Sequence, residues 1–290
     1  MMACGHRFLS ANQLNLHMAT AGPESGELVI LLHGFPEFWY GWRHQIPFLA
    51  EAGYRVWAPD QRGYNISDKP IGVRAYALGH LASDVVALLD RAEVARAHVV
   101  GHDWGAAVGW HVASNYPERV QSLVAINVPH PMVMRHHLLH DWRQLLRSWY
   151  MFLFQLPVIP EKLLSLRRYQ DLIQGLVRSA RADTWTREDL ALYREAWAQP
   201  WAMHAMINWY RAALACPVHY PESLHLEMPV LVLWGMQDQF LGAEMGQESA
   251  ALCQGGVWKP IPQATHWVHH EEPALVNAAV GEWLANHAMV

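Results

Sequence analysis

The chain predicts an α/β fold: a mostly parallel sheet flanked by helices, with a helical insertion between two of its strands. Three observations carry that expectation. Short continuous apolar runs recur through the first half, with helix-periodic stretches between them. The runs then stop, and one more appears over a hundred residues later. The length of 290 residues suits one large α/β domain with an insertion, and is short for two full-sized domains.

The apolar runs are Leu28–His33, Tyr54–Ala58, Ala97–Gly101, Leu123–Ile126 and Val230–Trp234. Each reads as a parallel strand buried on both faces. Leu78–Ala92, with apolar residues three and four apart, reads as a helix between strands. From about Pro131 to Glu222 Trp, Arg, His, Leu and Met recur at helical intervals. Ala182–Ala198 and Trp201–Leu214 read as helices there, punctuated by Pro157, Pro160, Pro200 and Pro217. The expected division is a core over 1–130, a helical cap over 131–222 lying above the strand ends, and the rest of the core over 223–290. In such sheets working residues collect on loops after the strands' carboxyl ends.

Composition removes several function classes. Lys and Arg number 21 and Asp and Glu 26, a net charge of −5, so nothing supplies the field that sequence-independent nucleic-acid binding needs. No stretch reaches the ~18 apolar residues of a membrane span, and the N-terminus has no signal-peptide pattern. Cys4, Cys216 and Cys253 are odd in number and widely spaced, suggesting neither a disulfide framework nor a zinc site. The expectation is a soluble cytoplasmic protein, with its oligomeric state left open as monomer or homodimer. Gly101, Gly105 and Gly109 do not form a dinucleotide fingerprint, and no Walker-type motif occurs, so no cofactor is expected. His136 and His140 lack an obvious third ligand and read as a solvated helix face rather than a metal site.

The chemistry centres on Val99–Gly109, which runs from a buried strand through a tight turn into a helix. Gly101 and Gly105 flank Asp103 with the spacing of a nucleophile elbow. A serine there would suit acyl transfer. An ionised carboxylate is already nucleophilic and suits displacement at saturated carbon, leaving an ester on the protein. The plainer alternative is an Asp that caps the following helix. His33-Gly34-Phe35-Pro36 closes the first run; the N–H of Phe35, with that of Trp104, would form an oxyanion hole. Asp238 follows the fifth run and His266 precedes the last helix, completing the order nucleophile, acid, base. The neighbouring His269 and His270 are expected to begin or face that helix.

These segments resemble α/β-hydrolase-fold epoxide hydrolases over essentially the whole chain. They are HGFPEFWYGWR at His33–Arg43, DQRGYNISDKP at Asp60–Pro70, GHDWG at Gly101–Gly105, WGMQD at Trp234–Asp238 and HWVHHEEP at His266–Pro273. Asn65 stands where the family usually has Gly; Asn tolerates φ > 0. The resemblance implies an α/β-hydrolase fold with a cap, and an epoxide and water as reactants. It implies Asp103, Asp238 and His266 as the catalytic triad, with the loop at His33, Phe35 and Pro36 and Trp104 around the reacting centre. It also implies two cap tyrosines that hold the epoxide oxygen. Tyr150, in SWYMFLFQLP at Ser148–Pro157, and Tyr210, in NWYR at Asn208–Arg211, match them.

Haloalkane dehalogenases share the Asp nucleophile and Trp104, and form the main alternative. They usually carry Asn after His-Gly, where this chain has Phe35, and their fluoroacetate-specific relatives carry Arg at the position of Trp104. The acid that some relatives place after the preceding strand is absent, because Asn127 cannot ionise. A non-catalytic binding protein on this fold would show a broken triad or missing tyrosines, and neither is seen. The abundant Trp, Met and Leu of the cap point to an apolar or aromatic epoxide.

Overall fold

The computed structural model describes residues 4–218 and 226–288. One eight-stranded sheet runs in the order β1-β2-β4-β3-β5-β6-β7-β8. Its strands are β1 (Gly5–Ala11), β2 (Leu14–Ala21), β3 (Leu28–Leu32), β4 (Arg55–Pro59), β5 (Ala97–His102), β6 (Val120–Ile126), β7 (Val230–Gly235) and β8 (Val257–Ile261). β1, β2 and β4 pair antiparallel in sequence; every other neighbour is parallel. The five expected strands are all present, within a few residues of their expected ends.

Three strands have no counterpart among the apolar runs. β1 and β2 form an edge hairpin whose outer strand is largely exposed and carries His6, Arg7 and Ser10, so no continuous run arises. Its two-residue turn sets Asn12 and Gln13 at φ 49° and 65°, the left-handed geometry a tight hairpin uses. β8 is the opposite edge and contains Lys259 and Pro260, residues that edges tolerate and central strands exclude.

Before β7 the helices are α1 (Gln45–Glu51), α2 (Leu78–Arg91), α3 (Trp104–Asn115), α4 (Pro131–His140), α5 (Trp142–Arg147), α6 (Trp149–Leu153), α7 (Ile159–Ser165), α8 (Gln170–Ser179), α9 (Arg187–Trp197) and α10 (Ala202–Ala215). After it come α11 (Glu244–Ala251), α12 (Val268–Glu271) and α13 (Pro273–Asn286). α4 to α10 thus fall between β6 and β7, where the sequence places its insertion. The expected end of that insertion at residue 222 lies outside the described residues. α9 starts at Arg187 rather than Ala182 because Thr186 and Asp189 form a capping box, each accepting the other's backbone N–H at 3.0 and 2.9 Å.

Side chains alternate across the central strands and build two cores. Val29, Leu31, Val100, Val124 and Leu233 pack with Ile46 and Leu49 of α1 and Val276, Val280 and Leu284 of α13. Ile30, Leu32, Val99, Leu123 and Val232 pack on the opposite face with α2, α3 and α10. α2 buries Leu81, Val85, Leu88 and Leu89, one helical stripe. Full burial of one such side chain is worth about 1.5–3 kcal/mol, so both cores hold the strand ends as a rigid platform. No helix among the described residues is long and apolar enough to cross a membrane.

Candidate active site

Asp103 links β5 to α3 at φ 49° and ψ −127°, strained for a residue with a side chain. The flanking glycines make the turn possible. A Cβ on Gly101 would lie 2.5 Å from the Gly105 backbone, and one on Gly105 would lie 1.9 Å from the Leu32 carbonyl oxygen. The Asp103 side chain does not cap α3, which removes the plainer alternative. Instead Oδ1 accepts the backbone N–H of Phe35 at 2.7 Å. Gly34 permits that approach, since a Cβ there would fall 2.3 Å from Asp103 Cβ. Trp104 is the first residue of α3, so its N–H has no partner within the helix and belongs to the positive end of the helix dipole.

Asp238 lies just past β7 and is buried. Its Oδ1 accepts the N–H groups of Phe240 and Leu241 at 2.7 and 3.0 Å. Its Oδ2 accepts Asn127 Nδ2 and His266 Nδ1, both at 2.7 Å. The other nitrogen of His266, Nε2, lies 3.6 Å from Asp103 Oδ2, close enough for ion pairing but longer than a hydrogen bond. The three expected triad residues therefore meet, although 28 residues separate Asp238 from His266 and the chain crosses the whole insertion between Asp103 and Asp238. Burial opposes charge on His266, but the two carboxylates outweigh it and hold its pKa up at about 10. Burial likewise opposes charge on Asp103. His266, His102 and the Phe35 N–H prevail, and the carboxyl sits below its ordinary range.

Tyr150 of α6 and Tyr210 of α10 face the same cavity as Asp103 and Trp104. Their rings lie 5.9 Å apart at 78°. Tyr210 stands edge-on to Trp104 at 5.0 Å and to Phe35 at 5.3 Å. Burial and the negative charge of Asp103 push both phenols above their ordinary pKa, so both stay protonated and able to donate. The cavity is about 1000 Å³ and its walls are mostly apolar, among them Leu81, Val128, Met134, Met151 and Leu241.

His33 and Pro36 lie behind this centre and are not among the residues facing the cavity. His33 Nε2 accepts the Gln61 N–H at 3.1 Å, its carbonyl accepts Gln61 Nε2 at 2.6 Å, and its ring packs on Tyr64 at 4.6 Å. The Pro36 carbonyl accepts Trp197 Nε1 at 2.5 Å, tying the loop to α9. Both residues shape the loop that presents Phe35. The placement of His269 and His270 differs from expectation too. They occupy a separate turn, α12, ahead of the final helix, and are buried around Glu37.

That buried Glu37 was not foreseen. Its Oε1 accepts Tyr193 Oη at 2.7 Å and His270 Nε2 at 2.6 Å; Oε2 pairs with His102 Nδ1 at 2.9 Å. The far side of His102, Nε2, donates to the His266 carbonyl at 2.9 Å. Burial opposes ionisation of Glu37, yet His270, His269 and His102 hold its carboxyl well below its ordinary value. The only sequence signal was an acid inside an apolar stretch, Phe35–Trp39. Glu37, His102 and His269 bring ligand-type atoms within 4.8 Å of one another, as do His137, Asp141 and Glu244. In the first group Glu37 bonds His102, while His269 Nε2 lies 3.4 Å from Glu37 Oε2 and neither of its ring nitrogens makes a hydrogen bond among the described residues. His136 and His140 are exposed, as a solvated face requires.

Comparison with known proteins agrees with this fold. A profile of the alpha/beta hydrolase fold matches residues 27–273. The "AB hydrolase superfamily protein YfhM" of Bacillus subtilis is 45% identical over 97% of this chain and 98% of its own. "Epoxide hydrolase 2" of Caenorhabditis elegans is 33% identical over 96% of this chain and 79% of its own. Among solved structures, an epoxide hydrolase from Bacillus megaterium in complex with an inhibitor superposes with a TM-score of 0.87 at 30% identity, covering 96% of this chain and all of that one. With the Asp-centred turn, the assembled triad and the two cavity tyrosines in place, the chain belongs to the α/β-hydrolase-fold family, among its epoxide hydrolases.

Proposed function

We propose that this protein hydrolyses an epoxide to a vicinal diol through an ester on Asp103. The observation that carries the reading is an aspartate in the nucleophile turn that lines one apolar cavity with the two tyrosines Tyr150 and Tyr210. Oδ1 of Asp103 is tied to the Phe35 N–H, so Oδ2 is the attacking atom. It displaces one epoxide carbon–oxygen bond while Tyr150 and Tyr210 hold the departing oxygen, and that oxygen ends as a hydroxyl after taking a proton from one of the phenols, which water then reprotonates. The product is a hydroxyalkyl ester whose carbonyl oxygen is Oδ1, held by the Phe35 N–H, with the Trp104 N–H proposed as the second oxyanion donor.

Alkylation also switches the base. Before it, the carboxylates of Asp238 and Asp103 both favour the His266 imidazolium, which cannot accept a proton. Once Asp103 is an ester its charge is gone, the imidazolium loses one of the two partners that stabilise it, and its proton passes to the hydroxide left by reprotonation of the phenol. The freed imidazole, oriented by Asp238, takes a proton from water, and the resulting hydroxide adds to the ester carbonyl carbon. Collapse of that adduct breaks the bond to the diol oxygen, which takes the proton held by His266, and the carboxyl group so formed returns its proton to the imidazole, regenerating the Asp103 carboxylate and the imidazolium. Dehalogenation uses the same nucleophile, but there the leaving halide takes no proton and two phenols would have no task. Single turnover in heavy-oxygen water tests the route. The first diol should carry oxygen from Asp103 rather than from solvent, and full solvent label in that first product would exclude the ester.

A further inference from the structure

The cavity opens through a surface with no role in this chemistry. Arg135, His136, Leu139, His140, Leu145 and Phe152 line the cavity and are also exposed to solvent. From this mouth an apolar stripe continues along α5 and α6. Trp142 and Leu146 stand four residues apart on α5, and Trp149 and Phe152 three apart on α6, so each pair shares one face of its helix. Trp142 is 66% exposed, Leu146 62% and Trp149 62%. An apolar surface of this extent is unusual on a protein that meets only water.

The stripe itself carries cations and no acid; the nearby acids Asp141, Glu244 and Glu248 gather around His137 on the side of α4 that meets α11. The stripe's two helices hold Arg143 and Arg147 and no Asp or Glu, in a chain whose net charge is −5. Arg135 of α4 stands at the cavity mouth beside them, and among the described residues none of the three is in an ion pair. Arg143 lies over the Trp142 ring at 5.6 Å, so charge and aromatic face are presented together. A second copy of this chain would bring like charge against like charge. Indole rings interleaved with cations on short amphipathic helices suit the boundary between anionic headgroups and acyl chains instead.

We propose that this face seats the protein on an anionic lipid surface, with the cavity mouth directed into the apolar layer. The protein would lie on the bilayer and not cross it. An apolar substrate dissolved in the lipid would then reach Asp103 without passing through water; that consequence rests on the proposed function, whereas the docking does not. Binding is measured by co-sedimentation with phosphatidylcholine vesicles, with and without phosphatidylglycerol. The protein should sediment with the anionic vesicles at low salt, stay in solution with pure phosphatidylcholine, and release at about 0.5 M salt, where exposed charges are screened. Arg143→Glu with Arg147→Glu, and separately Trp142→Ser with Trp149→Ser, should each weaken the partition more than about tenfold. All four positions are exposed, so melting temperatures should match the parent. Absence of binding to anionic vesicles at low salt, equal binding to pure phosphatidylcholine, or parental binding by both double variants would overturn the proposal. So would a dimer in solution that Trp142→Ser with Trp149→Ser converts to monomer, because that assigns the face to a second copy.

Discussion

The N–H of Phe35 donates to Oδ1 of Asp103 at 2.7 Å, across 68 residues of sequence. The carboxylate therefore waits with one oxygen held and the other, Oδ2, facing the His266 imidazole at 3.6 Å. This asymmetry assigns separate tasks to two chemically equivalent atoms.

Asp103→Ala should abolish both ester formation and turnover, with at least about 10³-fold loss in kcat, since no neighbouring carboxylate can replace the nucleophile. The same substitution relieves a strained backbone only partly, because alanine also resists φ near 49°. Steady-state kinetics with a chromogenic epoxide and a thermal melt separate the two effects: activity should vanish while the fold persists.

The tyrosines act on the oxygen rather than the carbon. Tyr150→Phe or Tyr210→Phe keeps the ring packing and deletes one donor, so kcat for ring opening should fall on the order of 10²-fold with little change in melting temperature. The double variant should be worse than either. Parental rates in the double variant would mean that other groups activate the epoxide.

Asn127 tests the support of the acid. Its amide donates to Asp238 Oδ2 at 2.7 Å and its Oδ1 accepts the Gly235 N–H at 2.9 Å. Asn127→Asp would set a second carboxylate against Asp238, forcing the pair to share a proton and weakening the hold on His266. Ester hydrolysis should slow by about tenfold or more while ester formation is unchanged, which rapid-quench kinetics resolves.

The raised pKa of His266 has a defined effect on stability. Its folded value of about 10 exceeds the unfolded value of 6.5, so the imidazolium's partners contribute stability that is fully present below 6.5 and is lost as pH rises through about 10. Urea unfolding from about pH 6 to about pH 10 should show the parent losing a few kcal/mol more than His266→Gln over that window. Parallel curves for the two proteins would show that His266 is neutral in the resting state.

Much of this site was legible because its parts are local. Gly101 and Gly105 around Asp103 declare a turn that only small neighbours permit, and the buried runs of β3, β5 and β7 end where Phe35, Asp103 and Asp238 stand. The hairpin of β1 and β2 was not legible, since an exposed edge has no reason to be uniformly apolar. The Glu37 network was hidden for a different reason. Its members come from β5, α9, α12 and the loop after β3, and each alone looks like one more polar residue. Asn127 was read for what it cannot do, ionise; its use as a donor to Asp238 depends on the pairing of β6 with β7, which spacing does not reveal.

The central claim is that the nucleophile works without the base and the base is needed only afterwards. Intact-protein mass spectrometry of His266→Gln after epoxide addition tests it most directly. Asp103 attacks already ionised, so the variant should consume about one equivalent and then stall, heavier by the mass of one substrate. A His266→Gln protein that stays unmodified and inactive would show that the base is required for the first step, and one that turns over at the parental rate would show that His266 is not the base.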